Sequence, residues 1–416
     1  MTFALRFALR CALALSGTAL AQDALSRPAV GKAFAYLEAN HEIHLKKQIE
    51  ISQIPAPTFA EEKRAAFMVG EFKRVGLKDV EIDPRGNVLG WRRGGIERTL
   101  AIAAHLDTVF PAGTDVTVKR KGARLLGPGI ADDARGLAAL LALVEAMNHA
   151  NIETTESLLF VANVCEEGLG DLQGIKYLLQ KGRFKDKIKG FISIDGTSPE
   201  RFVNRALASK RYKIVIRGAG GHSWGNFGRP NPAHALARIT ARFADVEVPE
   251  SPRTTYNVGR IGGGTSVNSI PYEAWMEVDM RSESDSELER LEQKLLAAVE
   301  RGVKEENDFR AKSGSKLEAE PKLLAVRNGG ATPESSNLVQ SMMGAIRAMG
   351  LKPQLEIGST DSNVPINMGI PAVTIGGGGR GGDHHSLGEW FDPEGAYRAV
   401  QQALLALLMY DGKQNP

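Results

Sequence analysis

The sequence predicts an α/β protein with a mostly parallel sheet flanked by helices, interrupted by an inserted α+β domain. Buried, strand-like runs alternate with helical patterns over residues 22–207 and again over 323–416. Between them, residues 208–322 change to the apolar–polar alternation of a sheet with one solvated face. The 416-residue length leaves room for two or three domains, each with its own core.

The first part of the chain carries the helices and strands of the sheet. We predict helices over 32–52, 60–76 and 136–149, and buried strands at Thr99–Ala104, Ser157–Val164 and Lys189–Ile194. Helix 136–149 is apolar nearly all round, which indicates burial. Polar residues follow each strand, at the sheet edge where ligands bind in such folds.

The inserted domain and the last part of the chain also show helix and strand patterns. We predict a strand at Arg211–Arg217, a helix over 232–244, strands at Tyr256–Ile261 and Ala274–Arg281, a helix at Ser284–Glu306, and a strand near 315–321. A buried strand at Pro371–Ile375 marks the return to the α/β domain.

The N-terminus has the pattern of a secretory signal peptide. Residues 1–21 contain no acid, Arg6 and Arg10 precede a short apolar run, and Ala19-Leu-Ala21 offers a cleavage site. We expect cleavage after Ala21 and an exported protein, periplasmic or secreted. The apolar run is shorter than the ~20 residues that span a bilayer, so no membrane attachment is expected after cleavage. The alternative is a first core helix.

Composition excludes several classes of protein. The chain is 43% hydrophobic and 24% charged, which is ordinary for a globular protein and unlike collagen, disordered chains or disulfide scaffolds. The net charge of +3 gives no electrostatic case for nucleic acid. Loss of the signal peptide removes Cys11 and leaves Cys165 alone, so no internal disulfide is expected.

Polar side chains at the strand ends form a candidate metal site. His105 ends a strand and Asp107 lies two residues on, where it either accepts the second ring N–H of a ligating histidine or orients the imidazole in another way. In isolation each motif also fits a bland role, such as a core histidine or a helix-capping aspartate. Taken together, two imidazoles and three carboxylates suit two zinc-like ions ~3.5–4 Å apart, bridged by a carboxylate, and Glu166 is then the candidate base. The five candidate ligands are His105, Asp132, Glu167, Asp195 and His385.

In these motifs the sequence resembles the M20 family of co-catalytic metallopeptidases. His105-Leu-Asp107, the glycine-rich segment up to Asp132, and Glu166-Glu167 occur in the order that the family uses. The resemblance implies a bridging role for Asp132, the order base then ligand for Glu166 and Glu167, and ligand roles for Asp195 and His385. It also implies a zinc-peptidase-like catalytic domain with a ferredoxin-like lid and dimerisation domain.

Three residues of the inserted domain resemble substrate-binding positions of that family. The resemblance implies that His222 polarises the substrate carbonyl of a neighbouring active site in a homodimer. It implies that Asn268 and Arg281 hold a substrate carboxylate, which an arginine does bidentately.

Two features depart from the pattern or leave a choice. Ala134-Arg135 follows Asp132-Asp133 where many members carry lysine, so the basic residue is displaced by one position. His384 and His385 are adjacent, and His385 is chosen as the ligand because Ser386 follows it.

The expected activity is hydrolysis of short peptides with a free carboxylate, in which Glu166 acts as general base and two divalent ions serve as cofactors. We expect zinc, with cobalt and manganese as alternatives. An N-acyl amino acid deacylase on the same scaffold is the alternative, and a non-catalytic two-lobed solute-binding protein is a remote one. The sequence does not say which end of a peptide is trimmed.

Overall fold

The computed structural model describes residues 21–310 and 314–413, which form two compact units. Of the described residues, unit 1 contains 21–206 and 330–413, and unit 2 contains those within Leu207–Gly329. The predicted signal peptide lies outside the described residues except for Ala21. The second boundary falls at Gly329 rather than at residue 322, because the last strand of unit 2 stays paired through Arg327.

The helices and strands are numbered in chain order. The helices are α1 Pro28–Ala39, α2 His41–Ser52, α3 Glu62–Arg74, α4 Ala134–His149, α5 Gln173–Lys176, α6 Pro232–Ala244, α7 Asp285–Phe309, α8 Asn337–Ala348, α9 Asn363–Asn367 and α10 Tyr397–Lys413. The strands are β1 Lys78–Ile82, β2 Val88–Arg92, β3 Ile96–His105, β4 Lys119–Lys121, β5 Arg124–Leu126, β6 Glu156–Asn163, β7 Ile188–Ile194, β8 Arg201–Ala206, β9 Ala208–Arg217, β10 Gly221–His222, β11 Thr254–Gly263, β12 Ser269–Ile270, β13 Glu273–Ser282, β14 Glu318–Arg327, β15 Gly330–Ala331, β16 Gln354–Gly358, β17 Ala372–Ile375, β18 Arg380–Gly382 and β19 Trp390–Asp392.

Unit 1 is built on a nine-stranded sheet in the order β1-β2-β6-β3-β7-β17-β8-β15, with β16 also paired to β8. Its centre, β6-β3-β7-β17, is parallel, and antiparallel strands lie on both sides. Every residue of β6 is buried, as expected for a parallel strand covered on both faces. The carboxyl ends of β3, β6 and β7 therefore meet at one edge of the sheet, as the sequence predicted.

The helices confirm most predictions and correct one. The predicted helix 32–52 is two helices, α1 and α2, because the backbone of Asn40 leaves the helical conformation at φ −101°, ψ 13°. The side chain of Asn40 donates instead to the carbonyl of Tyr36 at 2.9 Å. Helix α4 is buried on nearly all sides and is capped by Asp133, whose side chain accepts from Gly136 N.

Unit 2 has the predicted ferredoxin-like fold. Strands and helices follow in the order β9-α6-β11-β13-α7-β14, and the sheet is fully antiparallel in the order β11-β13-β9-β14. Buried and half-exposed residues alternate along β13, because the helices cover one face of the sheet. A short ladder, β10 with β12, projects as a separate two-stranded element.

A second small sheet in unit 1, β18-β19-β5-β4, did not stand out in the sequence. Its strands have only three residues each, and Trp390 pairs with Leu126 across a long sequence separation. This sheet ties the segment before Asp132 to the segment after His385. None of the helices in the described ranges is long and apolar enough to cross a lipid bilayer.

Candidate metal centre

The structure brings the five predicted ligands of unit 1 together. Potential ligand atoms within 4.8 Å of one another form two overlapping groups, and Asp132 belongs to both. The first group is His105, Asp132 and Asp195, and the second is Asp132, Glu167 and His385.

Asp132 has the geometry of a bridging carboxylate. Its Oδ1 lies 3.0 Å from Nε2 of His105, and its Oδ2 lies 3.1 Å from Nε2 of His385. Nε2 of His385 also lies 3.0 Å from Oε1 of Glu167. Each oxygen of one carboxylate therefore faces a different imidazole, as needed to connect two ions.

Glu166 lies at the same centre. Its carboxylate forms a third group of potential ligand atoms with His105 and Glu167, again within 4.8 Å. The preceding residue, Cys165, is left-handed with φ 58°, so the chain turns sharply after β6 and presents two successive glutamates. His384 belongs to none of these groups of described residues, whereas His385 does.

Asp107 supplies the acceptor for the His105 ring from its backbone rather than from its carboxylate. The ring Nδ1 of His105 hydrogen-bonds to the backbone carbonyl of Asp107 at 3.0 Å, while the Asp107 carboxylate is 3.6 Å away. That carboxylate instead accepts from the amides of Glu166 and Glu167 at 2.9 and 3.0 Å. Asp107 therefore anchors the glutamate turn, because two backbone donors there need buried acceptors.

Several buried charges hold the loops of the centre, and of these the sequence analysis singled out only Arg135. Arg64 donates to the carbonyl of Leu106 at 2.7 Å, beside His105. Arg135, the displaced basic residue, donates to Gly377 O at 2.6 Å. It therefore ties α4 to the glycine-rich loop before His385. Glu61 accepts from Cys165 N at 3.0 Å. A signal existed for Arg135, which is the only charge in the apolar run of α4 that precedes Glu145.

Two glycines allow close approach of the backbone near the ligands. Gly129 has φ +75°, and a Cβ there would lie 2.8 Å from the Thr108 side chain. At Gly136 a Cβ would lie 2.3 Å from Ile194 O, the residue before Asp195. Both positions exclude a side chain, because the strand ends and the loop of Asp132 are packed directly on one another.

The charges of the centre shift one another's pKa. Burial raises the pKa of Asp132, but hydrogen bonds with His105 and His385 outweigh burial, and the pKa falls below its ordinary range. Burial, with Asp132 nearby, raises the pKa of Asp195 to about 7. Hydrogen bonds to Asp132 and Glu167 raise the pKa of His385 to about 10. Carboxylates are thus crowded enough to favour a cation among them.

The donor set fits two divalent ions. Two imidazole nitrogens and three carboxylates are borderline ligands of the kind that zinc, cobalt and manganese accept. The division into two groups that share Asp132 is the arrangement expected for a two-metal site.

In unit 2, His222 and Asn268 lie together. Ser269 pairs with His222 in the β10–β12 ladder, and the carbonyl of Asn268 accepts from Ser223 N at 3.0 Å. Nδ1 of His222 accepts from the amides of Trp224 and Gly225, each at 3.2 Å. Since Nδ1 is an acceptor, the ring hydrogen lies on Nε2.

Arg281 does not lie beside His222 and Asn268 within one chain. The loop of Asn268 precedes Glu273 at the start of β13, whereas Arg281 is the penultimate residue of that strand. At about 3.3 Å per residue the strand separates Glu273 from Arg281 by ~26 Å. Arg281 donates from Nε to Asp279 Oδ2 at 2.8 Å.

Comparison with known protein families finds a match over most of the chain. Residues 101–410 match peptidase family M20/M25/M40. Succinyl-diaminopimelate desuccinylase of Corynebacterium glutamicum is 24% identical over 338 residues, which are 78% of this chain and 85% of the relative.

Solved structures share the fold. A tripeptidase from Staphylococcus aureus aligns with a TM-score of 0.73 at 21% identity, covering 90% of this chain and 99% of that one. Aminopeptidase PepT from Bacillus cereus aligns with a TM-score of 0.68 at 21% identity, covering 89% and 99%.

Proposed function

The chain is a member of peptidase family M20/M25/M40, a hydrolase of peptide or acyl–amino acid amide bonds, and on this premise we propose that it cleaves short peptides carrying a free carboxylate at a centre of two divalent ions. The observation that carries the proposal is Asp132, whose two oxygens face His105 and His385 separately. Asp195 completes the first group of ligands, and Glu167 completes the second.

The ions are expected to be zinc, with cobalt or manganese as alternatives. When bound, they polarise the scissile carbonyl and lower the pKa of the attacking water. The protein's contribution is to hold the ligands in place before substrate arrives, through the buried anchors Asp107, Arg64 and Arg135.

Glu166 is the general base in this proposal. It takes a proton from the attacking water and returns it to the leaving amine, which is the usual work of a buried carboxylate beside a reacting water. The support is its position, since its carboxylate lies within 4.8 Å of potential ligand atoms of His105 and Glu167. Its amide is fixed by Asp107, which limits the directions that the side chain takes.

His222 supplies a donor to the substrate carbonyl. With Nδ1 accepting from two amides, Nε2–H is available to stabilise the oxyanion that develops during attack. The surrounding residues Trp224, Phe227 and Val267 are strongly exposed and apolar, which favours contact with another molecule.

A homodimer reconciles the three positions in unit 2. His222 and Asn268 lie at one end of β13 and Arg281 near the other, so one chain does not bring them to one substrate. We infer that one protomer supplies His222 and Asn268 while its partner supplies Arg281 for the carboxylate.

Export is part of the same proposal and rests on residues 1–21. N-terminal sequencing of protein secreted by an expressing host is expected to begin at Gln22. Mature protein that retains Met1 or is found only inside the cell contradicts export.

A second candidate is an N-acyl amino acid deacylase, which the desuccinylase relative favours. Purified protein is assayed on tripeptides, dipeptides and N-acyl amino acids, with and without a chelator, and the products are identified. We expect peptide cleavage that the chelator abolishes. Faster release of the acyl group from N-acyl amino acids selects the deacylase, and binding of peptides without any turnover contradicts both.

The Glu166→Gln variant tests the base in the same assay. We expect kcat to fall by roughly 10²–10⁴-fold, the range for loss of a general base. The Glu50→Gln variant is a control at an exposed glutamate outside the centre. Full activity of Glu166→Gln contradicts the proposed mechanism.

A further inference from the structure

Glu389 is a buried carboxylate that the proposed chemistry does not use. Its side chain has no exposed surface, and it lies four residues after His385. A buried carboxylate is costly unless hydrogen bonds or a cation compensate for lost solvation. For Glu389, hydrogen bonds that its carboxylate accepts from backbone amides provide that compensation.

Glu389 receives these hydrogen bonds from one short segment. Oε2 accepts from Gly129 N at 2.9 Å, and Oε1 accepts from Ala131 N at 2.8 Å and from Asp132 N at 3.0 Å. Its backbone carbonyl also accepts from Gly127 N at 3.0 Å. One residue thus holds four amides of the loop that ends at the bridging carboxylate.

Glu389 also lies next to the strand pairing that connects this loop to the segment of His385. Directly after Glu389, Trp390 of β19 pairs with Leu126 of β5. Glu389 therefore joins the segments of Asp132 and His385, which are 253 residues apart in sequence and whose side chains lie 3.1 Å apart.

We propose that Glu389 is a positioning residue, which sets the backbone of Asp132 against His385 so that both ion sites are preformed. The inference rests on the proposed two-metal centre. Glu389 acts through Asp132 and neither contacts substrate nor supplies a ligand. Only a carboxylate accepts all of these hydrogen bonds, because three backbone N–H groups of the segment donate to the two oxygens of this side chain. A glutamine has a single acceptor oxygen.

The test is the Glu389→Gln variant, which keeps the size of the side chain but turns an amide NH₂ toward a backbone N–H. Metal-free protein is titrated with Zn²⁺ against a chromophoric chelator, and Co²⁺ is bound in parallel to read the visible spectrum. We expect Zn²⁺ affinity to fall by roughly 10- to 100-fold, as for loss of residues that orient ligands, and the Co²⁺ spectrum to change.

Glu306→Gln is the matched control, because Glu306 is also fully buried and accepts a backbone amide, that of Asn231, but lies in unit 2. It is expected to bind Zn²⁺ as the wild type does. If Glu389→Gln does not fold, Glu389→Asp keeps the charge and shortens the reach, and the same loss is expected.

The outcomes separate this inference from the proposed function. Wild-type protein that binds no divalent ion contradicts the proposed function. Wild-type protein that binds ions, with folded Glu389→Gln or Glu389→Asp binding them equally well and with an unchanged Co²⁺ spectrum, contradicts the positioning role alone.

Discussion

At the scale of single residues, the centre depends on side chains that hold backbone amides rather than on ligands alone. Asp107 accepts from the amides of both glutamates in the turn after β6 and from the hydroxyl of Thr58 at 2.9 Å. Burial raises the pKa of the Asp107 carboxyl, but the nearby His105 ring and the hydrogen bonds from these amides outweigh burial, so the pKa falls below its ordinary value.

The Asp107→Asn variant tests this anchoring. Asparagine has one acceptor oxygen where the site presents two amides and a hydroxyl, so the turn loses a partner. We expect kcat to fall about tenfold or more, with KM little changed, because Glu166 moves but substrate contacts remain. Thr58→Val removes only the hydroxyl and is the control. Equal kcat in Asp107→Asn and wild type contradicts the role.

Sequence reasoning singled out the five candidate ligands because histidine and carboxylates beside apolar strand runs are unusual, and because their motifs resemble those of the M20 family. It did not identify Glu61 or Arg64, which stand among other charges near the start of α3 and look like a solvated helix end. Only the folded chain shows that Arg64 is fully buried against Leu106 O. A hydrogen bond between a side chain and a backbone carbonyl far along the chain leaves no local pattern in the sequence.

At the scale of elements, helix α4 is tied to α2 and α3 through Glu145. The Glu145 carboxylate lies 2.9 Å from Nε2 of His44 and 2.7 Å from Nη1 of Arg74. Burial raises the pKa of Glu145, but these two partners outweigh it, and the pKa falls below its ordinary value of 4.5.

This shift predicts a pH-dependent contribution to stability. A lowered carboxyl pKa contributes stability that is present above about pH 4.5 and is lost as the pH falls through the folded-state pKa. At pH 7, Glu145→Gln is therefore expected to reduce the free energy of unfolding by about 1–3 kcal/mol, the range for a hydrogen bond to a charged group. The difference from wild type is expected to close below pH 4.5.

Urea unfolding of Glu145→Gln and wild type across this pH range measures the effect. Glu50→Gln is the control, because Glu50 pairs with Lys47 at the surface and is expected to change stability by about 0–1 kcal/mol. A constant difference at all pH values contradicts the role of the Glu145 charge.

The elements that the sequence predicted are those with strong patterns of their own. Strands β3, β6 and β7 carry continuous apolar runs because the sheet is covered on both faces. The three-residue strands β4, β5, β18 and β19 have no such run. They form two local pairs, β4–β5 and β18–β19, which become one sheet only because β5 pairs with β19 across a long sequence separation. The break at Asn40 was missed because charges and apolar residues keep helical spacing across it.

At the scale of the whole molecule, the positions of His222 and Arg281 make the homodimer testable. If each site takes His222 from one protomer and Arg281 from the other, two inactive variants complement each other. A mixed dimer of His222→Ala and Arg281→Ala has one intact site and one doubly defective site. Random reassociation is expected to restore about a quarter of wild-type activity.

The control pairs His222→Ala with Asn268→Ala. These two residues lie together in one chain, so no mixed dimer has an intact site and no recovery is expected. A monomer in solution, or absence of recovery in the first mixture, contradicts the shared site. The sequence suggested His222, Asn268 and Arg281. Only the structure showed that Arg281 lies near the end of β13 opposite to the loop of Asn268.

The most direct test of the two-metal centre is the number of divalent ions that each chain binds. Metal-free protein is loaded with Zn²⁺, desalted and analysed for zinc per chain, alongside Asp132→Ala. We predict two ions per wild-type chain, activity that returns only as both sites fill, and at most one ion in Asp132→Ala. One ion or none in the wild type, or two in Asp132→Ala, contradicts a centre bridged by Asp132.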